Sequence, residues 1–368
     1  MSDKKTLTMR DIAKAAGVSA ATVSLVLNGK GEISGATRAK VLDVVADLNY
    51  VPRPARVRAP DSANDTLRFL KIAKHGHTVN RDHSHFISDY IDGMSQEAIR
   101  RGYALEVVSH EREAIQSIVQ SLAGAGLKGV VALGTELSEA DIRLLLATGI
   151  PTVFIDTFHE VIETNFVNMN NEDAVHKVLA RFKSQGFHDI GFVASPVETT
   201  NFRLRRDAFA KNMGRLDLPM REENTLWVES TFDGAYEATL RHLASGGKLA
   251  ECYFCTNDII AYGFIKALRE HGIRIPADVS VIGFDNLPMS GTMDPPLTTI
   301  DVSKRKIGYL AITILDDLIN ASEWQPSVKI LVGADLVVRS SDRHAKRRRD
   351  ASASPAAKAP PSRTAVPD

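Results

Sequence analysis

The period of hydrophobic and polar positions changes once along the chain, from helical in the first 50 residues to alternating strand and helix beyond residue 66. Ile12, Ala13 and Ala16 share one helical face, with Thr8 placed as an N-cap and Asp11 near the positive helix end. Gly17 stops this helix. Ser19 caps the next, in which Val23, Val26 and Leu27 recur at helical spacing up to Asn28-Gly29. Ser34 opens a third, whose predicted apolar stripe is Val41, Leu42, Val45 and Leu48. It closes at Asn49-Tyr50-Val51-Pro52, because proline in that register forfeits a hydrogen bond.

Residues 1–52 therefore form a small three-helix domain, and residues 53–66, with Arg53, Pro54, Arg56, Arg58 and Pro60, form a basic linker. Strands are predicted at 67–73, 104–109, 129–133, 152–156, 190–194, 251–255 and 279–284. Helices are predicted at 86–101, 114–123, 139–147, 174–185, 203–213, 235–245 and 259–271. Such alternation implies an α/β class with parallel sheets built from right-handed crossovers. The strands are too many for one comfortable sheet. Residues 67–340 are expected to fold as two doubly wound lobes around a cleft, lobe one from about 67–166 and 297–325, lobe two from about 167–296 and 326–340. Residues 341–368 carry Lys346-Arg347-Arg348-Arg349 and then Ala, Ser and Pro, with no apolar face to offset ordering entropy; a disordered basic tail is expected.

Composition sharpens this picture in one respect. The formal net charge of +0 conceals ten Lys+Arg against five Asp+Glu in residues 1–58, 27 against 37 in 59–338, and eight against three in 339–368. A basic end on an acidic body suits a polyanionic partner, although on charge alone a solvated surface is the better reading. Two cysteines, Cys252 and Cys255, are too few for a disulfide framework. The opening residues lack the apolar run of a signal peptide and no run of about 18 apolar residues occurs, so a cytoplasmic protein without a membrane partner is expected.

The turn at Gly17 sets the first two helices at a steep angle, which is helix-turn-helix geometry. Ala20 and Ala21 keep the second helix slim enough to enter a major groove about 12 Å wide. Ser19, Thr22, Ser24 and Asn28 suit phosphate oxygens, and Arg10 and Lys14 add charge. A three-helix packing unit without DNA fits the geometry alone as well.

Other constellations are weaker. Gly124-Ala125-Gly126-Leu127-Lys128-Gly129 spells a dinucleotide fingerprint, yet it follows a helix and precedes a strand, the reverse of what phosphate binding needs. His75, His77, His83 and His85 share one loop, but no carboxylate or cysteine completes a metal set; a pocket-lining loop beyond a strand end is the better reading, with His75 as its candidate residue. Cys252 and Cys255 point to opposite faces of one strand. No nucleophile elbow, Walker A or zincin motif occurs, so no catalytic residue, metal or cofactor is assigned.

The segment from Thr8 to Asn28, the tetrapeptide Asn49-Tyr50-Val51-Pro52, and the ordered blocks 150–156, Thr256-Asn257-Asp258, 279–286 and 296–300 together resemble the lactose-repressor (LacI/GalR) family of bacterial transcription regulators. The resemblance implies a helix-turn-helix DNA-binding domain followed by a two-lobed periplasmic-binding-protein-like domain. It further implies a homodimeric repressor whose affinity for a double-stranded operator responds to a sugar, sugar acid or polyol bound between the lobes. It places DNA contacts at Thr8, Arg10, Lys14, Ser19, Ala20, Ala21, Thr22, Ser24, Leu25, Asn28, Tyr50, Arg56 and Arg58, and effector contacts at Arg205, Asn257 and Asp285. Arg offers a planar fork, and Asn and Asp suit hydroxyls; Asn257 and Asp285 also fit simple capping roles. Leu25 stands where relatives often carry a guanine-reading arginine and suits a thymine methyl instead. Pro54, Val57 and Ala59 replace the usual hinge pattern, and Phe187 replaces a histidine without a functional reading. A cytoplasmic small-molecule-binding protein or enzyme with an accessory basic head is the alternative.

Overall fold

A computed structural model of the chain describes residues 9–27, 33–48, 65–74 and 84–343. Two compact units divide it, Met1–Asp61 and Ser62–Asp368.

The first unit contains α1 (Met9–Ala16), α2 (Ala20–Leu27) and α3 (Gly35–Asp47). Gly17 adopts φ 64°, and Val18 N donates to Ala13 O at 3.0 Å, so the chain leaves α1 through a left-handed residue that lets the next amide satisfy an orphan carbonyl. Ser19 caps α2 by accepting Thr22 N at 3.0 Å, and Ser34 caps α3 by accepting Thr37 N at 3.2 Å, as the sequence predicts. Ile12, Ala16, Val23, Val26 and Val41 form the core, with Val44 and Val45 against it. The predicted stripe on α3 needs correction: Leu42 and Leu48 are exposed, because Val41, Val44 and Val45 already fill the face that meets α1 and α2.

The second unit runs β1 (Thr66–Ala73), α4 (Ser84–Arg101), β2 (Ala104–Glu111), α5 (Ile115–Leu122), β3 (Gly129–Leu133), α6 (Glu139–Leu146), β4 (Thr152–Ile155), β5 (Asn165–Met169), α7 (Asn171–Ser184), β6 (Ile190–Ala194), α8 (Thr200–Arg215), β7 (Thr225–Trp227), α9 (Phe232–Ala244), β8 (Cys252–Cys255), α10 (Asp258–Glu270), β9 (Ser280–Ile282), β10 (Thr299–Val302), α11 (Lys304–Asn320), β11 (Lys329–Val332) and β12 (Ala334–Val337). One parallel sheet has the order β11-β5-β4-β3-β1-β2 and another β7-β6-β8-β9, while β10 and β12 form an antiparallel pair. Central strands such as β3, β4 and β6 are buried throughout and read as unbroken apolar runs, as expected where helices cover both faces.

The chain passes between the lobes three times. Lobe one holds β5 and β11, which pair in parallel from Lys329–Phe166 to Val332–Met169. The expected limits at 166/167 and 325/326 thus cut through the lobe-one sheet; β5 is a full strand whose polar Asn165 and Asn168 mask its pattern, and β11 is a short edge strand. The helix α11, absent from the predicted elements, buries Ile307, Ala311, Ile312 and Leu315. Phe187 has a packing role, edge-on to Phe182 at 5.9 Å.

Candidate functional site

The cleft-facing side chains come from the C-terminal ends of strands and from the helices that follow them, where open α/β sheets bind ligands. Thr199 caps α8 by accepting Phe202 N at 3.4 Å, which orients the helix so that Asn201 and Arg205, four residues apart, share the face toward the cleft. Asn257 caps α10, its Oδ1 accepting Ile260 N at 2.9 Å. Asp285 follows β9 with φ 116° and Asp156 follows β4 with φ 60°, both in the left-handed region, and such strained positions persist only where surrounding bonds fix them. Lys304 at the start of α11 supplies one of those bonds, donating Nζ to Asp285 O at 2.7 Å.

One cavity of about 60 Å³ is lined by Tyr90, Thr135, Asp156, Asn201, Arg205, Asn257 and Asp285, with the apolar surfaces of Phe86, Ile87, Leu133 and Phe202. Arg205, Asn257 and Asp285, singled out in the sequence, all reach it. Arg205 is 3% exposed and heavily committed: Nε donates to Asn171 Oδ1 at 3.0 Å, Nη1 to Thr256 O at 2.8 Å, and Nη2 reaches Asp285 Oδ1 at 3.4 Å. Asn257 is different. Its Oδ1 is spent on the cap, while Nδ2 is buried without a partner. The capping and cleft roles of Asn257 are therefore compatible, since each uses a different end of the amide.

Electrostatics follow from burial. It pushes the Asp285 carboxyl up to about 7 against the pull of the Arg205 guanidinium, and pushes Asp258 up to about 6 against hydrogen bonds from Ser290, Thr299 and the Leu287 amide. Asp156 is also raised by burial, although Thr135, Tyr90 and Asn201 all donate to it. Three carboxylates lie near Arg205, whose own charged form is disfavoured by burial and favoured by Asp285, Asp156 and Asp258.

Tyr90, Asp156 and Asn201 were missed by sequence reading. The i, i+4 spacing of Asn201 and Arg205 on a capped helix was an available signal for one, and the position of Asp156 immediately after a buried strand for another.

In the first unit, Lys14, Ser19, Ala20 and Ala21 are exposed, Thr22 is half-buried, and Leu25 is 38% exposed while Val23 and Val26 face the core. The Ser19 and Thr22 hydroxyls lie 2.9 Å apart. Thr8, Asn28, Tyr50, Arg56, Arg58 and His75 lie outside the described residues, as do the side chains of Arg10 and Ser24. Among the described residues, no group of three or more His, Cys, Asp or Glu is placed to hold a metal ion. No helix among them is long and apolar enough to cross a membrane.

Residues 8–53 match the model of bacterial regulatory proteins, lacI family, and residues 179–341 match the periplasmic binding protein-like domain. The chain carries a DNA-binding domain of the lacI family and a periplasmic binding protein-like domain. Its function is that of a DNA-binding transcriptional regulator of the repressor type, a helix-turn-helix unit combined with a small-molecule-binding unit. Similar proteins include the HTH-type transcriptional repressor PurR of Pasteurella multocida (strain Pm70), 29% identical over 340 residues that cover 91% of this chain and 98% of that protein. PurR of Haemophilus influenzae (strain ATCC 51907 / DSM 11121 / KW20 / Rd) is also 29% identical, over 91% of this chain and 98% of its own. Among solved structures, the lac repressor dimer bound to operator and the anti-inducer ONPF matches with a TM-score of 0.67 at 24% identity, over 92% of this chain and 100% of that one. The transcriptional regulator CelR in its cellobiose complex matches with a TM-score of 0.66 at 22% identity, over 91% and 99%. These two likenesses concern the fold.

Proposed function

We propose that the chain is a homodimeric repressor whose affinity for a nearly palindromic operator is set by a small polar metabolite, a sugar, sugar acid or polyol, held in the cleft by Asn257, Asp285 and Arg205. One observation carries this reading: the Asn257 Nδ2 donor is buried and unpartnered on a residue that lines the cavity. A buried donor without an acceptor costs about 1–3 kcal/mol, so a ligand oxygen that meets it gains correspondingly. Asp285 presents an acceptor to the same space, and Phe86 and Phe202 supply apolar walls for the carbon face of a ring.

In the first unit, Ala20, Ala21 and Leu25 face base edges, while Ser19, Thr22, Lys14 and, by sequence position, Thr8, Arg10, Ser24 and Asn28 face phosphates. Tyr50, Arg56 and Arg58, in or next to the linker by sequence position, extend the DNA contact, and His75, which follows β1 in sequence, adds an effector contact. Two heads on one dimer read half-sites about one helical turn, roughly 34 Å, apart.

The test uses Asn257→Asp in the full chain. Aspartate retains an oxygen for the α10 cap but replaces the unpartnered donor with an acceptor. Thermal-shift screening of sugars, sugar acids, polyols and nucleosides identifies a ligand of the wild type. Asn257→Asp is expected to keep operator binding in a gel shift and to lose the ligand-dependent change. A folded variant that responds to that ligand as the wild type does would overturn the cleft assignment.

A further inference from the structure

Asn201, near the start of α8, is 4% exposed and has every hydrogen-bonding position of its amide occupied by protein. Its Nδ2 donates to the main-chain O of Asp156 at 3.0 Å and to Asp156 Oδ1 at 2.9 Å. Its Oδ1 accepts from Asn168 Nδ2 and Asn171 Nδ2, each at 2.9 Å. Asp156 and Asn168 belong to lobe one, Asn201 and Asn171 to lobe two. Four hydrogen bonds therefore meet on one amide, three of them across the cleft.

The surroundings reinforce this. Thr157 Oγ1 donates to Thr200 Oγ1 at 3.1 Å, a second bond across the same gap from the adjacent residue on each side. Asp156 is fixed from its own lobe by Tyr90 and Thr135, and Asn171 passes the constraint on to Arg205 through Oδ1. Asn201 and Asn257 line one cavity but differ in kind, since one amide is saturated by protein and the other keeps a donor for a ligand.

We propose that Asn201 is a latch that closes the two lobes on each other without any effector, through its direct bonds to Asp156 and Asn168. This rests on reading the cleft as the effector site. Closure is then intrinsic to the chain, and a metabolite acts by its different affinity for the latched and unlatched forms. Buried amides satisfied in one arrangement only are suited to such a two-state element, because opening leaves donors and acceptors to be resatisfied by water or ligand.

The experiment measures the distance between the lobes in the full chain with no metabolite added. Spin labels are attached to cysteines introduced at Gln116 on lobe one and Lys248 on lobe two, both exposed, while Cys252 and Cys255 are buried and escape labelling. Labelled chain is diluted with unlabelled chain so that only distances within one chain are read. The wild type is expected to give one narrow distribution at the closed distance. Asn201→Ala and the isosteric Asn201→Asp, which sets a carboxylate against Asp156, are each expected to shift it to longer and broader values. Asp156→Asn keeps an acceptor for the amide and is expected to retain the wild-type distance. If Asn201→Ala fails to fold, Asn201→Asp decides. An open, broad distribution in the wild type, or folded Asn201 variants with the wild-type distance, would overturn the latch. Operator binding by the wild type is scored separately: its loss counts against the proposed function, whereas normal operator binding with unshifted variants counts against the latch alone.

Discussion

The guanidinium carbon of Arg205 lies 3.6 Å from the ring centroid of Phe284, and the neighbouring residue, Asp285, pairs with the same guanidinium. One planar cation is thus held by stacking on one residue and by charge on the next, both just beyond the end of β9. Lysine cannot reproduce this, since a point charge neither stacks nor spans Asn171 and the Thr256 carbonyl together. Arg205→Ala removes the partner of a buried carboxylate and is expected to cost about 3–5 kcal/mol. Arg205→Lys is expected to destabilise less and still to weaken the effector response. Denaturant titration of the full chain checks the order wild type, Arg205→Lys, Arg205→Ala; equal stability in all three would contradict it.

How far the sequence reveals this site depends on which physical signal each residue carries. Gly129–Leu133 and Ile190–Ala194 are observed with their predicted limits because an unbroken apolar run admits one reading once turns flank it. Asn165–Met169 does not read as a strand in sequence, since its asparagines serve a cap-like bond to Val328 and the Asn201 hub, functions that long-range contacts decide. The helix Lys304–Asn320 is legible in Ile307, Ala311, Ile312 and Leu315, which recur at helical spacing. Arg205, Asn257 and Asp285 are accessible through resemblance, but the division of labour within the Asn257 amide is decided by tertiary contacts. So is the convergence of Tyr90 and Asn201 on Asp156, residues separated in sequence by 66 and 45 positions.

Leu25 provides a test of base reading. It is 38% exposed on α2 between exposed Ala21 and buried Val26, and its side chain has only methyl groups to offer a base. Thymine presents a matching methyl in the major groove. With an operator selected from a random library, replacing one thymine per half-site by deoxyuridine removes that methyl and nothing else. The wild type is expected to lose about 0.8 kcal/mol per methyl contact, roughly fourfold in affinity. Leu25→Ala is expected to be indifferent to the same replacement. Equal sensitivity in both proteins at every thymine would show that Leu25 does not read the methyl.

Asp285 sets a pH dependence whose sign can be worked out. Its carboxyl is pushed up to about 7 by burial, above the ordinary value of 3.8, so the folded chain holds a proton that the unfolded chain has released. That contribution is complete below the unfolded value and is lost as pH rises through 7. Asp258, pushed up to about 6, acts in the same direction at lower pH, while His159, lowered by burial, acts in the opposite direction below its ordinary value of 6.5. Between pH 6.5 and 8 Asp285 is expected to dominate, and the unfolding midpoint should fall as pH rises. Urea titrations at half-unit intervals across this window check it; a midpoint that rises would reverse the assignment.

The close approach of α4 and α11 sets the position of Tyr90. A Cβ on Gly308 would lie 2.3 Å from Tyr90 O and 3.0 Å from Met94 N, and one on Gly93 would lie 2.1 Å from Arg305 O. The obstructing atoms are backbone, so a methyl at either position can be accommodated only by separating the helices. Overpacking of this kind costs typically about 1–3 kcal/mol. It also moves Tyr90, whose hydroxyl donates to Asp156 at 2.9 Å at the cavity wall. Gly308→Ala is therefore expected both to destabilise the second unit and to weaken effector binding, although residue 308 does not line the cavity. Gly214→Ala is the control: this glycine is exposed near the end of α8 with nothing within 4 Å of its added Cβ. There the gain in helix propensity is expected to stabilise by about 0.5–1 kcal/mol with the effector response unchanged. Thermal denaturation with and without the screened ligand measures both effects, and a Gly308→Ala protein with wild-type stability and ligand shift would contradict the role given to this seam.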